Sequence, residues 1–244
     1  MPEATQIGYF FEGDPALPFP VAEFDEGLEA LANDRVGRLT DWIGTGDVII
    51  EGVVDSGVAI DGPAYIGSGT VIHSGCAITG PVFIGKNCSV RHGAQLRDGT
   101  ILGDDCVVGH SAEIKNSICM SGSKMQSGVF IGDSVLGRSA RVGSGAILAN
   151  RRFDQRAISL GSGQSKTAVD REFFGAVLGD HVRLGANVVA APGTIVGPYT
   201  WVSSLVSLHG FIPRAKLVLL KQELEIRDKD EVDLRSGRED YETL

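Results

Sequence analysis

An apolar residue recurs at every sixth place through much of the chain: Val48, Val54, Ile60, Ile66, Ile72, Ile78, Ile84, Val90, Leu96, Leu102, Val108, Ile114 and Met120. With 43% hydrophobic residues, such a run in one preset phase has chance odds of about 10⁻⁵. The rhythm continues with slips through Ile131, Leu136, Val142 and Leu148. It resumes at Leu178, Leu184, Ala190, Val196, Val202 and Leu208. Period six is neither helical nor a plain strand alternation. It suits a short flat strand plus a turn; three such sides close a triangular coil of about eighteen residues, and stacked coils form parallel sheets about 4.8 Å apart. The predicted fold is all-β, a parallel β-helix over residues 45–210 with an inserted loop at 149–177.

Four places after each anchor comes a second inward position, held by Ala64, Thr70, Cys76, Val82, Cys88, Ala94, Thr100, Cys106 and Ala112. Only small or β-branched side chains fit a narrow prism, so three of the four cysteines read as wall filling. Cys119 is out of phase and has no assigned role. There is no CxxC pair, which argues against zinc or a disulfide framework, and no metal is expected. Glycine often follows the anchor (Gly67, Gly85, Gly103, Gly109, Gly143, Gly185, Gly197), where a corner is expected to need backbone freedom.

A solenoid needs covered ends. In the segment 1–44, Leu28, Leu31, Ala32, Val36 and Leu39 have helical spacing, so a short capping helix is expected within 22–40. The extension 211–244 begins with an apolar stretch, "AKLVLLKQELEI", expected to pack on the last coil as a strand or short helix, and ends in a charged, solvated tail. The formal charge of −9 argues against nucleic-acid or anionic-membrane partners. No apolar run approaches the ~20 residues of a membrane span. The N-terminus has no signal-like core, so a cytoplasmic location is expected.

Positions eighteen apart stack in such a coil. Arg97 and Lys115 form one such pair, and two bare cations about 5 Å apart repel by roughly 3 kcal/mol at an effective dielectric of 20. A bound phosphate would remove that cost; two solvated cations fanning apart are the alternative. His92 and His110 stack in the same way, as a solvated turn pair or a catalytic one. Between Leu148 and Leu178 the repeat stops, and the break carries Arg151, Arg152, Arg156, Lys166 and Arg171, an anion-attracting set in an acidic chain.

The stretch "VGHSAEIKNSICMSGSKMQSGVFIGDSVLGRSARVGSGAILANRRFD" resembles the acetyltransferase arm of bifunctional N-acetylglucosamine-1-phosphate uridylyltransferases and related stand-alone sugar-phosphate nucleotidyltransferase-like β-helices. The resemblance covers roughly residues 45–210 and implies the left-handed hexapeptide-repeat β-helix. It implies a homotrimer that acylates an amino-sugar phosphate or nucleotide sugar with acetyl-CoA in clefts between subunits. Carried over residue by residue, Arg97 and Lys115 would grip phosphate and Asn150 would hold substrate and acyl group. Arg151 would stand on the substrate side, and Ser144, Ala186 and Ser204 would line the coenzyme.

Three positions depart from the family pattern. Ser127 stands where the catalytic histidine belongs, Phe130 replaces a sugar-contacting tyrosine, and Arg141 replaces an asparagine near the sugar. A serine takes no ammonium proton without a base of its own, so His110 or His92 would have to supply one. Only about forty residues precede the repeat, too few for a doubly wound nucleotidyltransferase domain. Two readings follow: a CoA-dependent acyltransferase with a relocated base, or a non-catalytic trimer that binds a sugar phosphate or nucleotide sugar in a sensing or scaffold role.

Overall fold

The structure is a computed structural model that describes residues 7–18, 35–160, 167–169 and 172–228. Short parallel strands stack into a three-sided solenoid: among the described residues, two sides have nine strands and the third has eight. Sheet 1 begins at Val48–Ile50, sheet 2 at Val53–Val54 and sheet 3 at Ala59–Asp61. The chain visits them in that order on every coil, which is consistent with the left-handed β-helix class. The prism is filled as the period requires. Ile66, Ile72, Ile78, Ile84, Val90 and Leu96 are buried, and so are all nine of the small inward residues.

The register is less uniform than the sequence suggests. Ile84 pairs with Leu102 eighteen residues on, but Leu102 pairs with Cys119 and Cys119 with Leu136, each seventeen apart. The turn after Ile114 and the turn after Ile131 are each one residue short. Cys119 is therefore the anchor of its coil and joins the inner core, while Met120 is displaced into a second cluster outside the prism. At the first coil Ile50, not Val48, pairs with Ile66.

The glycines after the anchors also serve a different purpose from the one expected. None of the seven has a positive φ; those angles fall two residues later, at Gly69, Gly75, Asn87, Gly93 and their equivalents. What excludes a side chain is the next coil: a Cβ on Gly67 would lie 2.7 Å from the Gly85 carbonyl carbon, and one on Gly85 the same distance from that of Gly103. Buried hydroxyls complete the corners. Thr70 Oγ1 donates to Gly85 O (2.7 Å) and accepts from Cys88 N (2.9 Å), so these polar atoms are buried without loss of partners.

The outer face of sheet 1 is covered by other parts of the chain. Helix α1 (Ile7–Phe10) and the strap after it bring Phe10, Phe11 and Leu17 against it. Within the strap, Asp14 accepts from Ser121 N (2.6 Å) and Oγ (2.9 Å). Asp180 accepts from Glu12 N and Arg138 N, and burial raises its carboxyl above the ordinary value. Helix α2 (Arg35–Ile43) buries Leu39 and Ile43 and sets Trp42 edge-on to Tyr65 and Phe83. The helix thus packs on a flank rather than over the open end, where Val48, Ile49 and Ile50 remain 40–47% exposed. Residues 19–34, including Leu28, Leu31 and Ala32, lie outside the described residues.

The inserted segment is not structureless. Ile158–Leu160 and Thr167–Val169 form an antiparallel hairpin whose Ile158, Leu160 and Val169 also pack on sheet 1. Parallel pairing continues past residue 210, through Phe211–Ile212 and Leu217–Val218. Among the described residues, no helix is long and apolar enough to cross a membrane.

None of the four cysteines is in a disulfide, and all four are buried. The Cys76 thiol donates to Arg91 O (3.1 Å) and that of Cys88 to Gly103 O (3.1 Å). The Cys106 thiol is held well above its ordinary value by its contact with Cys88 and by burial. The thiolate is the reactive form. Because all four are 2% exposed or less, thiol titration of the native protein is expected to label none of them within minutes, and all four after denaturation. Rapid native labelling of Cys106 would contradict this packing.

Candidate functional site

Stacked coils turn corners into columns. At the corner between sheets 2 and 3, rung-to-rung bonds run from Ser111 N to His92 O (3.0 Å), Gly128 N to His110 O (2.9 Å) and Gly145 N to Ser127 O (3.0 Å). They continue from Asn187 N to Ser144 O (2.9 Å) and from Leu205 N to Ala186 O (3.0 Å). One column therefore holds His92, His110, Ser127, Ser144, Ala186 and Ser204. His110 is the immediate neighbour of Ser127, one rung or about 4.8 Å away along the stack. The seventeen-residue coil produces this adjacency, which an eighteen-residue repeat would not.

His92 is two rungs from Ser127 and engaged elsewhere: its Nδ1 lies 3.1 Å from Ser74 Oγ, and its ring centroid is 4.9 Å from that of His73. The exposed His110 has Ser111 Oγ as a side-chain partner, 3.2 Å from Nε2. Further along the column, Ala186 N donates to Ser204 Oγ (3.2 Å). Beside the column, the outer face of sheet 3 carries Glu113, Phe130, Ile147 and Val189 on consecutive rungs. Ile147 and Val189 are 42% and 41% exposed.

Across sheet 3, at the corner with sheet 1, Arg97 and Lys115 stack in register as expected, but neither is a bare cation. The Arg97 guanidinium donates to Glu113 Oε1 from Nη2 (2.7 Å) and Nε (3.1 Å), and to Asp98 Oδ2 (2.6 Å). Lys115 Nζ lies 3.8 Å from Asp133 Oδ2 and 4.7 Å above the Phe173 ring. The repulsion that would call for a phosphate is met here by carboxylates of the protein itself.

Asp133, 7% exposed, is the centre of this corner and was not singled out in the sequence. It accepts from Asn116 Nδ2 (2.5 Å) and from Asn150 Nδ2 (2.6 Å). The carboxylate fixes the amide nitrogen of Asn150 on its own side and turns Asn150 Oδ1 away from it. Arg151 bonds Glu172 (2.6 Å) and lies 5.4 Å from the Phe173 centroid, so Phe173 has two cations against it. Arg152 and Arg156 both face Asp154, and the hydrogen bonds from Arg152 hold that carboxyl well below its ordinary value. The described part of the basic loop is thus largely self-compensated; Lys166 and Arg171 lie outside the described residues.

Arg141 is not with the others. It points outward from sheet 2, between Lys124 and Arg183, around the corner from Phe130. The candidate residues therefore fall into three groups: the column of Ser127 and His110 with Phe130 beside it, the corner of Lys115, Asn150, Arg97 and Arg151, and Arg141 on the neighbouring side.

A stretch of 115 residues is 33% identical to the bifunctional protein GlmU of Methanococcus aeolicus, covering 47% of this chain and 28% of that protein. Another, of 85 residues, is 37% identical to the bifunctional sugar-1-phosphate nucleotidylyltransferase/acetyltransferase of Sulfurisphaera tokodaii, covering 35% of this chain and 21% of that one. The matches thus span between a fifth and a third of these relatives' length. Among solved structures, the UDP-N-acetylglucosamine acyltransferase of Francisella novicida is 16% identical with a TM-score of 0.48, over 70% of this chain and 60% of that one. Residues 78–212 match the family described as the GMPPB C-terminal domain. That match covers more than half of the chain and falls on the solenoid itself, and the chain belongs to this family of hexapeptide-repeat β-helices.

Proposed function

We propose that the protein is a CoA-dependent acyltransferase, working as a homotrimer on an amino-sugar phosphate or a nucleotide sugar. The observation that carries this reading is the placement of His110 one rung from Ser127, in the column that also holds Ser144, Ala186 and Ser204. An amine acceptor attacking an acyl thioester must lose a proton as the C–N bond forms and the C–S bond breaks, and the departing thiolate must gain one. An imidazole does both in turn. His110 supplies it, directly or through the Ser127 hydroxyl, and so replaces the histidine that position 127 lacks. Phe130 gives the sugar an apolar floor, and Asn150, held by Asp133, presents Oδ1 to the acceptor. The name of one relative, a bifunctional sugar-1-phosphate nucleotidylyltransferase/acetyltransferase, agrees with this chemistry. The exposed Ile147 and Val189 fit a face that a second subunit covers.

The alternative, a non-catalytic binding trimer, is favoured by one observation, the serine at position 127. A thiol-release assay with acetyl-CoA and a panel of amino-sugar phosphates and amino-sugar nucleotides separates the two. Turnover of at least one acceptor is expected from a species of trimer mass by light scattering. Binding of these acceptors without thiol release would establish the alternative, and a monomer at micromolar concentration would remove the shared-cleft chemistry.

A further inference from the structure

The outer face of sheet 2 carries an uninterrupted column of four large side chains on consecutive rungs: Lys124, Arg141, Arg183 and Trp201. Each stands three residues before a member of the Ser127 column, so this face meets the candidate site at the corner between sheets 2 and 3. The three cations contrast with Arg97 and Lys115. Among the described residues none of them has a carboxylate within ion-pair distance, whereas Arg97, Lys115, Arg151, Arg152 and Arg156 all do. In a chain of net charge −9, a file of three uncompensated cations one rung apart stands out, and an anion of matching length would relieve their mutual repulsion.

The surroundings narrow the class of anion. The cations line a cleft of about 440 Å³ together with Asp105, Gly122 and Ser139. At the corner between sheets 1 and 2, Ser139 offers a hydroxyl, and Asp105 accepts hydrogen bonds from hydroxyl groups but repels phosphate. A ligand that carries its anionic charge at one part and hydroxyls at another suits both. A Cβ on Gly122 would come 3.2 Å from Ser139 Oγ, so glycine keeps this floor open. At the end of the file Trp201 is 55% exposed, with the Arg183 guanidinium 5.6 Å from its ring. An exposed indole beside an arginine is a surface on which a nucleobase stacks. A diphosphate distributes negative charge over roughly the length of one rung and bridges neighbouring cations.

We infer that this face binds a nucleoside diphosphate, with the phosphates on Arg141, Arg183 and Lys124 and the base on Trp201, and that the acceptor is therefore a nucleotide sugar whose sugar reaches the Ser127 corner. The inference rests on the proposed function for its transfer step but not for its binding step. The coenzyme also contains a nucleoside diphosphate, so the test must tell the two sources apart.

Titration calorimetry on the full chain, at low and physiological salt, is the experiment. The probes are UDP, dTDP, GDP, inorganic pyrophosphate and coenzyme A. At least one of the first three is expected to bind, with Arg141→Ala and Arg183→Ala each weakening it by 10-fold or more and affinity falling as salt rises. Trp201→Ala is expected to weaken the nucleoside diphosphate by about 10-fold and to leave pyrophosphate unchanged, while Trp201→Phe retains most of the binding. These side chains point to solvent, so circular dichroism of each variant should match wild type. Absence of UDP, dTDP and GDP binding overturns the inference, as does binding indifferent to both arginine variants. Coenzyme A as the one probe sensitive to these variants overturns it too and assigns the face to the coenzyme. Nucleotide binding without thiol release would sink the acyltransferase reading and leave this one standing. Turnover of an amino-sugar phosphate by a protein that binds no nucleotide would do the reverse.

Discussion

His110→Ala is expected to lower acyl transfer by about 10²–10⁴-fold, the contribution of a placed general base, while the melting temperature and the mass in solution remain those of wild type. The fold should survive because the side chain is exposed at a corner and its partner is the exposed Ser111 Oγ; the bonds that hold the rung are made by backbone atoms. Added imidazole should restore part of the lost rate in the alanine variant, which a purely structural defect would not permit. Ser127→Ala discriminates between routes. If the hydroxyl relays the proton, this variant falls with His110→Ala, and the double variant is no worse than either single one. If His110 acts directly, Ser127→Ala stays within a few fold of wild type. His92→Ala is the control, two rungs away and stacked on His73. A His110→Ala enzyme with wild-type kcat on a proven acceptor would remove the proposed base and leave the serine departure unexplained.

The fold was legible because one position in six must fit inside a prism; that constraint acts on side chains and so is written in residue types. The register was legible only in part. Losing one residue at a turn leaves the inward pattern almost intact, since Cys119 and Met120 are both apolar and either satisfies the count. Only the pairing of Leu102 with Cys119 shows which one faces in. The functional consequence is large, because every column downstream of that turn shifts by one. Ser127 and His110 become neighbours only after the shift, and so do Asn150, Asp133 and Asn116. For Arg97 and Lys115 the stacking was legible and their carboxylate partners were not. Glu113 and Asp98 are separated in sequence by two strands and their corners, and nothing in the spacing says that both turn toward one guanidinium. The same electrostatic reasoning, applied to the true register, points to Lys124, Arg141 and Arg183 on another side of the prism.

The glycines offer the sharpest test of the stacking itself, because two classes of them are separated by a single substitution. Gly75 has φ +77, and a Cβ there would meet nothing closer than the Gly93 nitrogen at 3.7 Å. It needs a left-handed backbone, which asparagine tolerates; Asn87 and Asn187 already adopt it at equivalent corners, each at φ 55. Gly75→Asn is therefore expected to change stability by no more than about 0.5 kcal/mol, the range of an unconstrained surface change. Gly85 has an ordinary φ, but a Cβ there would lie 2.7 Å from the Gly103 carbonyl carbon, 2.8 Å from its oxygen and 2.5 Å from Asp104 Oδ1. The carboxylate can swing aside, but the backbone cannot, because Gly85 N bonds Leu102 O (2.8 Å) and Gly103 N bonds Cys119 O (2.8 Å) in the coils that would have to separate. Gly85→Asn is thus expected to cost about 3 kcal/mol or more, at the upper end of overpacking penalties. For a chain of this length that corresponds to a fall of roughly 6–12 °C in melting temperature. Thermal unfolding of the two variants beside wild type decides the matter. Equal losses at the two sites would mean that the corners are limited by backbone conformation alone, and the column Gly67–Gly85–Gly103 would lose its role as a line of close backbone approach between coils.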